Sequence, residues 1–191
     1  MAAPLILASS SPRRQELLRQ AGMMFEVCPA DISEARNPGE PALDYALRLA
    51  QEKAEIVARQ FPQRFVLGAD TIVVVDHEVL GKPEAPADAA RMLRLLSGRA
   101  HQVTTAISLA LPSGHTITRS CTTQVVFRKL SEEEIQQYVA TGEPMDKAGA
   151  YAIQGGAKKW VTGIEGDYSN VVGLPLLLLA ELLRENNYSA L

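Results

Sequence analysis

The chain has 191 residues, of which 47% are hydrophobic, and its 19 basic and 22 acidic residues give a formal charge of −3. This hydrophobic content is ample for a buried core, so we predict a single domain over residues 1–191, or two lobes around a shared sheet. The slightly negative charge argues against a broad surface for nucleic-acid polymers or acidic membranes. A bound polyanion should therefore be small and held in a local basic pocket.

Cysteine content and hydropathy bear on the cellular compartment. Cys28 and Cys121 lie far apart and form no CxxC pair, which fits reduced thiols better than a disulfide scaffold or a zinc site. The apolar run from Val171 to Ala180 is too short to span a bilayer and contains a glycine and a proline. We expect a cytoplasmic protein without a membrane partner.

Hydrophobic periodicity predicts a mixture of strands and helices, and therefore an α/β fold. The predicted strands are 4–8, 24–28, 65–75, 103–111 and 116–127, and the predicted helices are 12–21, 41–60, 86–97, 131–141 and 175–186. The turn sequence Pro112-Ser113-Gly114 favours a long hairpin of strands 103–111 and 116–127. Ser131 and Glu134 have capping-box spacing at the start of helix 131–141.

The opening segment has the pattern of an anion site. The apolar strand Leu5–Ala8 runs into Ser9–Arg14, where Ser11 is a good N-cap and Pro12 suits the first helical position. Unpaired N–H groups at such a helix start favour phosphate. Of the two arginines that follow, one could hold phosphate while the other orders the loop. The alternative is an ordinary capped helix with solvated arginines, because the segment lacks the glycines of a P-loop.

Helix 41–60 places a lysine beside an apolar stripe. Lys53 lies three residues after Ala50 and four before Val57, so its side chain is directed toward the packed side of the helix. Either it binds a nearby phosphate, or its methylenes cover the core while the ammonium reaches water. The stripe comprises Leu43, Ala46, Leu47, Ala50, Ala54 and Val57.

Asp70 interrupts the apolar strand 65–75. Burying an unpaired carboxylate is costly, so such a residue is usually paired, bound to a metal or placed at a bulge facing a cleft. The nearby Gly68 would permit a bulge or a close ligand approach. Asp70 could accept a proton from water or coordinate a divalent cation, and the alternative is a turn cap.

Two later segments contain further candidates. Pro83 biases Lys82 toward an extended backbone, which makes Lys82 a second candidate phosphate ligand. Gln154 follows a run of small residues and offers both a donor and an acceptor, as a base-reading residue must. The three histidines show no metal-site spacing with the cysteines and are predicted to be structural. Trp160 is predicted to pack in a strand.

Seven motifs in order resemble the Maf family of nucleoside triphosphate pyrophosphatases over nearly the whole chain. They are Ser9-Ser10-Ser11-Pro12-Arg13-Arg14, Glu52-Lys53-Ala54, Gly68-Ala69-Asp70-Thr71, Gly81-Lys82-Pro83, Asp146-Lys147-Ala148-Gly149-Ala150-Tyr151, Ile153-Gln154-Gly155 and Val171-Val172-Gly173-Leu174-Pro175. The resemblance implies an inosine-triphosphatase-like mixed sheet with flanking helices, with two lobes around a central cleft. It also implies hydrolysis of a nucleoside triphosphate to the monophosphate and pyrophosphate, a divalent metal (Mg²⁺ or Mn²⁺), and commonly a homodimer.

The resemblance also implies a role for each matching residue. Thr71 and Gln154 match the branch that acts on dTTP and UTP, and Arg13 is the third position used for substrate selection. Asp70 would be the catalytic base, and Glu34 would join it in holding the metal. The expected phosphate-binding residues are Ser9, Arg13, Arg14, Lys53 and Lys82. Ala152 departs from the family pattern, since relatives often place glycine there.

Two other functions remain open at this stage. The chain could be a nucleotide-binding regulator of septum formation with little physiological turnover, because family members are associated with inhibition of septum formation. It could also be a purine pyrophosphatase that prefers ITP or XTP. A sensor has no evident need for a carboxylate at Asp70, which favours catalysis.

Overall fold

The computed structural model describes residues 3–188, which divide into two compact units. The first unit comprises the described residues of Met1–Asp70, Thr105–Cys121 and Gly173–Leu191, and the second comprises Thr71–Thr104 and Thr122–Val172. The strands are β1 (Leu5–Leu7), β2 (Phe25–Val27), β3 (Val66–Val75), β4 (Glu78–Leu80), β5 (Ala100–Ala110), β6 (Thr116–Phe127) and β7 (Val161–Glu165). The helices are α1 (Pro12–Gln20), α2 (Ala42–Ala58), α3 (Pro86–Leu96), α4 (Glu132–Ala140), α5 (Tyr168–Val172) and α6 (Leu176–Glu185).

The strands form a mixed sheet in the order β2-β1-β3-β5-β6-β7, with β4 paired to β3. Strand β1 is parallel to β2 and β3, whereas the β3–β4 and β6–β7 pairs are antiparallel. Strands β3, β5 and β6 each continue from one unit into the other. The fold is therefore mixed α/β with flanking helices, as the sequence predicted.

The first unit packs α2 against β1 and β3. Its cluster of buried residues combines small and branched side chains: Ile6, Ala8, Ala54, Val57, Val66 and Ala110. Ala46, Ala50, Ala54 and Val57 of the predicted α2 stripe are fully buried. Leu43 was wrongly predicted to belong to it and is 46% exposed, because it lies in the first helical turn, where the packed face has not yet begun.

The second unit has an aromatic core. Phe127 contacts the rings of His101, Tyr151 and Trp160 edge to face, and Tyr138 contacts Trp160 at 4.8 Å between ring centroids. Trp160 is fully buried, as expected of a packing residue. The strand prediction for it is wrong, however, since Trp160 ends a 3-10 helix, Gly156–Trp160, that precedes β7.

The predicted hairpin and capping box are present. Leu111 N donates to His115 O at the turn, and the cross-strand hydroxyl pairs Thr104–Thr122 and Ser108–Thr118 fall on β5 and β6. Ser131 accepts from Glu134 N while the Glu134 side chain accepts from Ser131 N. Among residues 3–188, no helix is both long and apolar enough to cross a membrane.

Candidate active site

The parallel pairing of β1 and β3 brings two motifs to one edge of the sheet in the first unit. Leu7 is in register with Leu67, and Ala8 N donates to Leu67 O at 2.8 Å. The carboxyl ends of neighbouring parallel strands lie at the same edge. The Ser9–Arg14 segment after β1 therefore lies at the same edge as Asp70, which is three residues beyond Leu67 in β3.

The start of α1 is built as the sequence predicted, and the two arginines differ. Ser11 caps the helix by accepting from Arg14 N at 3.5 Å. Ser9 Oγ accepts from Ser11 N at 3.2 Å and from Arg14 Nη1 at 3.0 Å, while Arg14 Nε donates to Gly173 O at 2.8 Å. Arg14 therefore orders this loop. Arg13 is half-buried one position earlier.

Gly68 explains how α2 reaches β3. A Cβ atom at Gly68 would lie 2.2 Å from Ala50 O and 2.7 Å from Ala54 N, both backbone atoms of α2. No side chain fits there, so strand and helix touch directly. The expected bulge or ligand approach at Gly68 is wrong, because the helix occupies that space. The consequence is that Lys53, on the same helix, lies next to Asp70.

Lys53 forms ion pairs with two carboxylates, the buried Asp70 and the exposed Glu34. Its Nζ lies 2.7 Å from Asp70 Oδ1 and 2.7 Å from Glu34 Oε1. Lys53 is 7% exposed and Asp70 is 8% exposed. The alternative in which the ammonium reaches water is therefore wrong: burial on the packed face required a counter-charge, and two acidic side chains supply it.

Burial and the neighbouring opposite charges shift the pKa values of Asp70 and Arg14 in opposite directions. Burial raises the pKa of the Asp70 carboxyl above its usual value, although the cationic Lys53 and Arg14 act to lower it. Burial lowers the pKa of Arg14, with opposing contributions from the negative charges of Asp70 and Glu34. A carboxylate whose pKa is displaced toward neutrality is a stronger base than a solvated one.

The carboxylate oxygens of the cluster are atoms of the kind that bind a divalent cation. Asp70 and Glu34 supply two carboxylate oxygens within hydrogen-bond distance of one nitrogen atom, and Mg²⁺ is usually held by one or two carboxylates with phosphate and water oxygens completing its shell. These residues fit such an ion if Lys53 moves aside. Within residues 3–188, no group of three or more His, Cys, Asp or Glu side chains is arranged to hold a metal.

The loop that carries Glu34 is held to α2 by residues that sequence reasoning missed. Tyr45 Oη donates to Glu34 O at 2.7 Å, and Arg48 Nη2 donates to Ala35 O at 3.1 Å. Arg48 also binds both carboxylate oxygens of Glu40, at 2.6 and 2.8 Å. The only signal in the sequence was the position of Tyr45 and Arg48 on α2, and it does not reveal which loop they bind.

The other predicted site residues belong to the second unit. Thr71 is half-buried in β3, and Lys82 and Gln154 are exposed. The segments that carry the last two are joined, since Gly149 N donates to Gly81 O at 3.0 Å. The cluster of the first unit thus contains Ser9, Arg13, Arg14, Glu34, Lys53 and Asp70.

The sheet and helices define a known fold class. The fold is similar to that of the Staphylococcus aureus Ham1 protein, with a TM-score of 0.51 and 15% identity over 96% of this chain and 100% of that one. A HAM1 protein from Coxiella burnetii is similar with a TM-score of 0.50 and 17% identity, covering 95% of this chain and 98% of that one. At such low identity these likenesses describe the fold alone.

Comparison with known sequences identifies the family within this fold class. The family model described as Maf-like protein matches residues 4–186. A dTTP/UTP pyrophosphatase of Koribacter versatilis (strain Ellin345) is 56% identical over 180 residues, which cover 94% of this chain and 93% of that protein. A dTTP/UTP pyrophosphatase of Geobacter sulfurreducens is 52% identical over 181 residues, covering 94% and 95%. The chain belongs to the Maf family.

Proposed function

We propose that this chain is a nucleoside triphosphate pyrophosphatase that hydrolyses dTTP and UTP to the nucleoside monophosphate and pyrophosphate. The observation that carries the proposal is the buried Asp70–Lys53 ion pair, joined by the exposed Glu34, at the sheet edge where α1 begins. The relatives in Koribacter versatilis and Geobacter sulfurreducens, which are 56% and 52% identical over the aligned residues, are named for this activity.

The chemistry requires a base and several cations. A water oxygen forms a bond to the α-phosphorus, the bond from the α-phosphorus to the bridging oxygen breaks, and pyrophosphate leaves. Asp70 takes the proton from the attacking water, and its raised pKa suits that role. A bound Mg²⁺ or Mn²⁺, held by Asp70 and Glu34, would neutralise phosphate charge.

The cationic residues stabilise the negative charge of the triphosphate. Charge that develops on the phosphate oxygens is stabilised best by donors already in place. Arg14 is such a donor, because Ser9 and Gly173 fix its guanidinium. Arg13 and Lys53 supply further positive charge in the first unit, and Lys82 supplies it in the second.

Base selection is assigned to polar side chains. In this proposal Thr71 and Gln154 hydrogen-bond the edge of uracil or thymine, with Arg13 as the third selecting residue. A cytosine or purine would leave these groups unmatched, and a buried unpaired polar group discriminates strongly. The cytoplasmic location, the divalent metal and a second copy of the chain as partner are parts of the same proposal.

The test is pyrophosphate release from UTP, dTTP, CTP, GTP, 7-methyl-GTP and ITP, with and without Mg²⁺ or Mn²⁺. We expect UTP and dTTP to be cleaved preferentially and only with metal. Asp70→Asn should lower turnover by about 10²-fold or more while nucleotide binding persists, because a positioned base contributes about that much. Asp76→Asn is the matched control, since Asp76 is exposed and pairs with Arg99.

Each alternative function has its own outcome in this assay. Tight UTP binding with no turnover in the unmodified protein would favour a regulator of septum formation. Preference for ITP over UTP would favour a purine pyrophosphatase. Equal turnover by the unmodified protein and Asp70→Asn would remove Asp70 from the role of base.

A further inference from the structure

We propose that Tyr138 and Glu143 are positioning residues that fix the turn 152–156, and through it the selection of the pyrimidine base by Gln154. Neither side chain is part of the cluster around Asp70, and both belong to the second unit. The inference rests on the proposed function, specifically on base reading by Gln154.

The turn around Gln154 is tied at both ends to these two side chains. Ala152 N donates to Tyr138 Oη at 3.0 Å, and Gly156 N donates to Glu143 Oε2 at 3.0 Å. Gly155 N donates back to Ala152 O at 3.0 Å and closes the turn. The backbone on either side of Gln154 is therefore held by groups outside the turn itself.

Tyr138 and Glu143 are themselves held firmly. The Tyr138 ring is 6% exposed and packs edge to face on Trp160. Burial, followed by the interaction with the Glu143 carboxylate, raises the pKa of the Tyr138 phenol, so the hydroxyl stays protonated. Glu143 N donates to Thr141 Oγ1 at 3.1 Å, and Lys147 Nζ donates to Glu143 O at 3.0 Å.

Because Gly155 has no side chain, it leaves space for the Glu143 carboxylate. A Cβ atom at this position would lie 2.1 Å from Glu143 Oε1. Any larger residue would displace the carboxylate from Gly156 N. The glycine after Gln154 thus serves a contact within the protein.

Gln154 is exposed at the centre of the turn, and its side chain makes no hydrogen bond to any other residue within 3–188. An amide can select a base only if its oxygen and nitrogen are held at defined positions, because a mobile amide can satisfy either base edge. Without a side-chain hydrogen bond to another residue of the range 3–188, the amide gains its position from the backbone. Tyr138 and Glu143 fix that backbone.

The experiment compares the ratio of kcat/KM for UTP to that for CTP across a set of variants. Gln154→Ala should lower the ratio about 10-fold, since one hydrogen bond to the base is lost. Tyr138→Phe and Glu143→Ala should each lower it by about 3-fold or more without changing the inhibition constant of pyrophosphate. Glu143→Gln should restore much of the ratio, because its amide oxygen can still accept from Gly156 N.

Tyr151→Phe is the matched control. It also removes one buried phenol hydroxyl from the second unit, but the hydrogen bond of this hydroxyl is to His101 Nε2, at 2.8 Å. We expect its ratio to equal that of the unmodified protein. Melting temperatures of all variants separate loss of folding from loss of selection.

Three outcomes would overturn the inference. If Gln154→Ala lowers the ratio while Tyr138→Phe and Glu143→Ala do not, the positioning role is wrong and the proposed base reading stands. If Gln154→Ala leaves the ratio unchanged, base reading by Gln154 and its positioning by Tyr138 and Glu143 are both wrong. The proposal that the chain is a pyrophosphatase is not contradicted by that result. If Tyr151→Phe lowers the ratio equally, the effect reflects general loosening of the unit.

Discussion

At the scale of single residues, Lys53 neutralises the buried Asp70 carboxylate, whose charge would be unfavourable without a counter-ion. Asp70 and Glu34 both lie 2.7 Å from its ammonium. A buried ion pair adds little net stability, because desolvation offsets most of the attraction, but removal of one partner leaves an uncompensated charge. The Lys53–Asp70 pair is therefore weak evidence for a contribution to the stability of the fold.

His101 is the residue whose titration should affect stability most clearly. It is 2% exposed, and burial lowers its pKa to about 4. The unfolded chain, with a pKa near 6.5, binds more protons between pH 6.5 and 4, so the free energy of unfolding should fall by about 3 kcal/mol as the pH decreases through this window. Urea unfolding at several pH values measures this loss.

The variant His101→Gln should remove most of that slope, because glutamine does not titrate. His115→Gln, which replaces an exposed imidazole, is the control for general effects of the histidine-to-glutamine change. Equal slopes in the unmodified protein and His101→Gln would assign the acid sensitivity to other groups.

At the scale of secondary-structure elements, the close contact of β3 with α2 predicts that Gly68→Ala lowers the stability of the protein. Gly68→Ala would place a methyl group 2.2 Å from Ala50 O, so strand and helix must separate. We expect a loss of about 3 kcal/mol in the free energy of unfolding, as for other overpacked cores. Turnover should fall as well, because Lys53 moves relative to Asp70.

The matched control is Gly163→Ala in β7, where an added Cβ would lie 3.6 Å from Val126 Cγ2, an ordinary contact. Denaturant unfolding of the two variants under the same conditions compares them directly. Similar stability of both would mean that β3 and α2 can adjust at no cost.

Elements with strong local signals were predicted well. Ser131 and Glu134 mark the start of α4, and Pro112 to Gly114 mark the turn between β5 and β6. Strands β4 and β7 were not predicted, because their pairing depends on β3 and β6, to which they are joined in antiparallel register, rather than on a pattern in their own residues.

At the scale of the whole molecule, ligand binding should be detectable as increased stability against unfolding. A ligand that binds only the native state raises the free energy of unfolding by about 2.7 kcal/mol at 100 times its Kd. For a chain of 191 residues this corresponds to a rise in melting temperature of about 5–10 °C. We expect such a rise when UTP and Mg²⁺ are added to Asp70→Asn, which binds without rapid turnover.

Differential scanning fluorimetry measures the shift, and ITP at the same concentration is the comparison. A larger shift with ITP than with UTP would contradict pyrimidine preference at the level of binding. Absence of any shift with either nucleotide would contradict retention of binding in the variant.

The sequence by itself determined the fold class and which residues carry charge suited to phosphate chemistry, because periodicity, caps and motif order are local properties of the chain. Ser11 was identified in this way as a helix cap, and Asp70 as a carboxylate that needs a partner. Only the tertiary structure decided the partners: Lys53 binds two carboxylates, Arg14 orders the first loop, and Tyr138 and Glu143 hold the turn of Gln154. These contacts join residues distant in sequence or from different elements, and their geometry depends on how helices and strands pack.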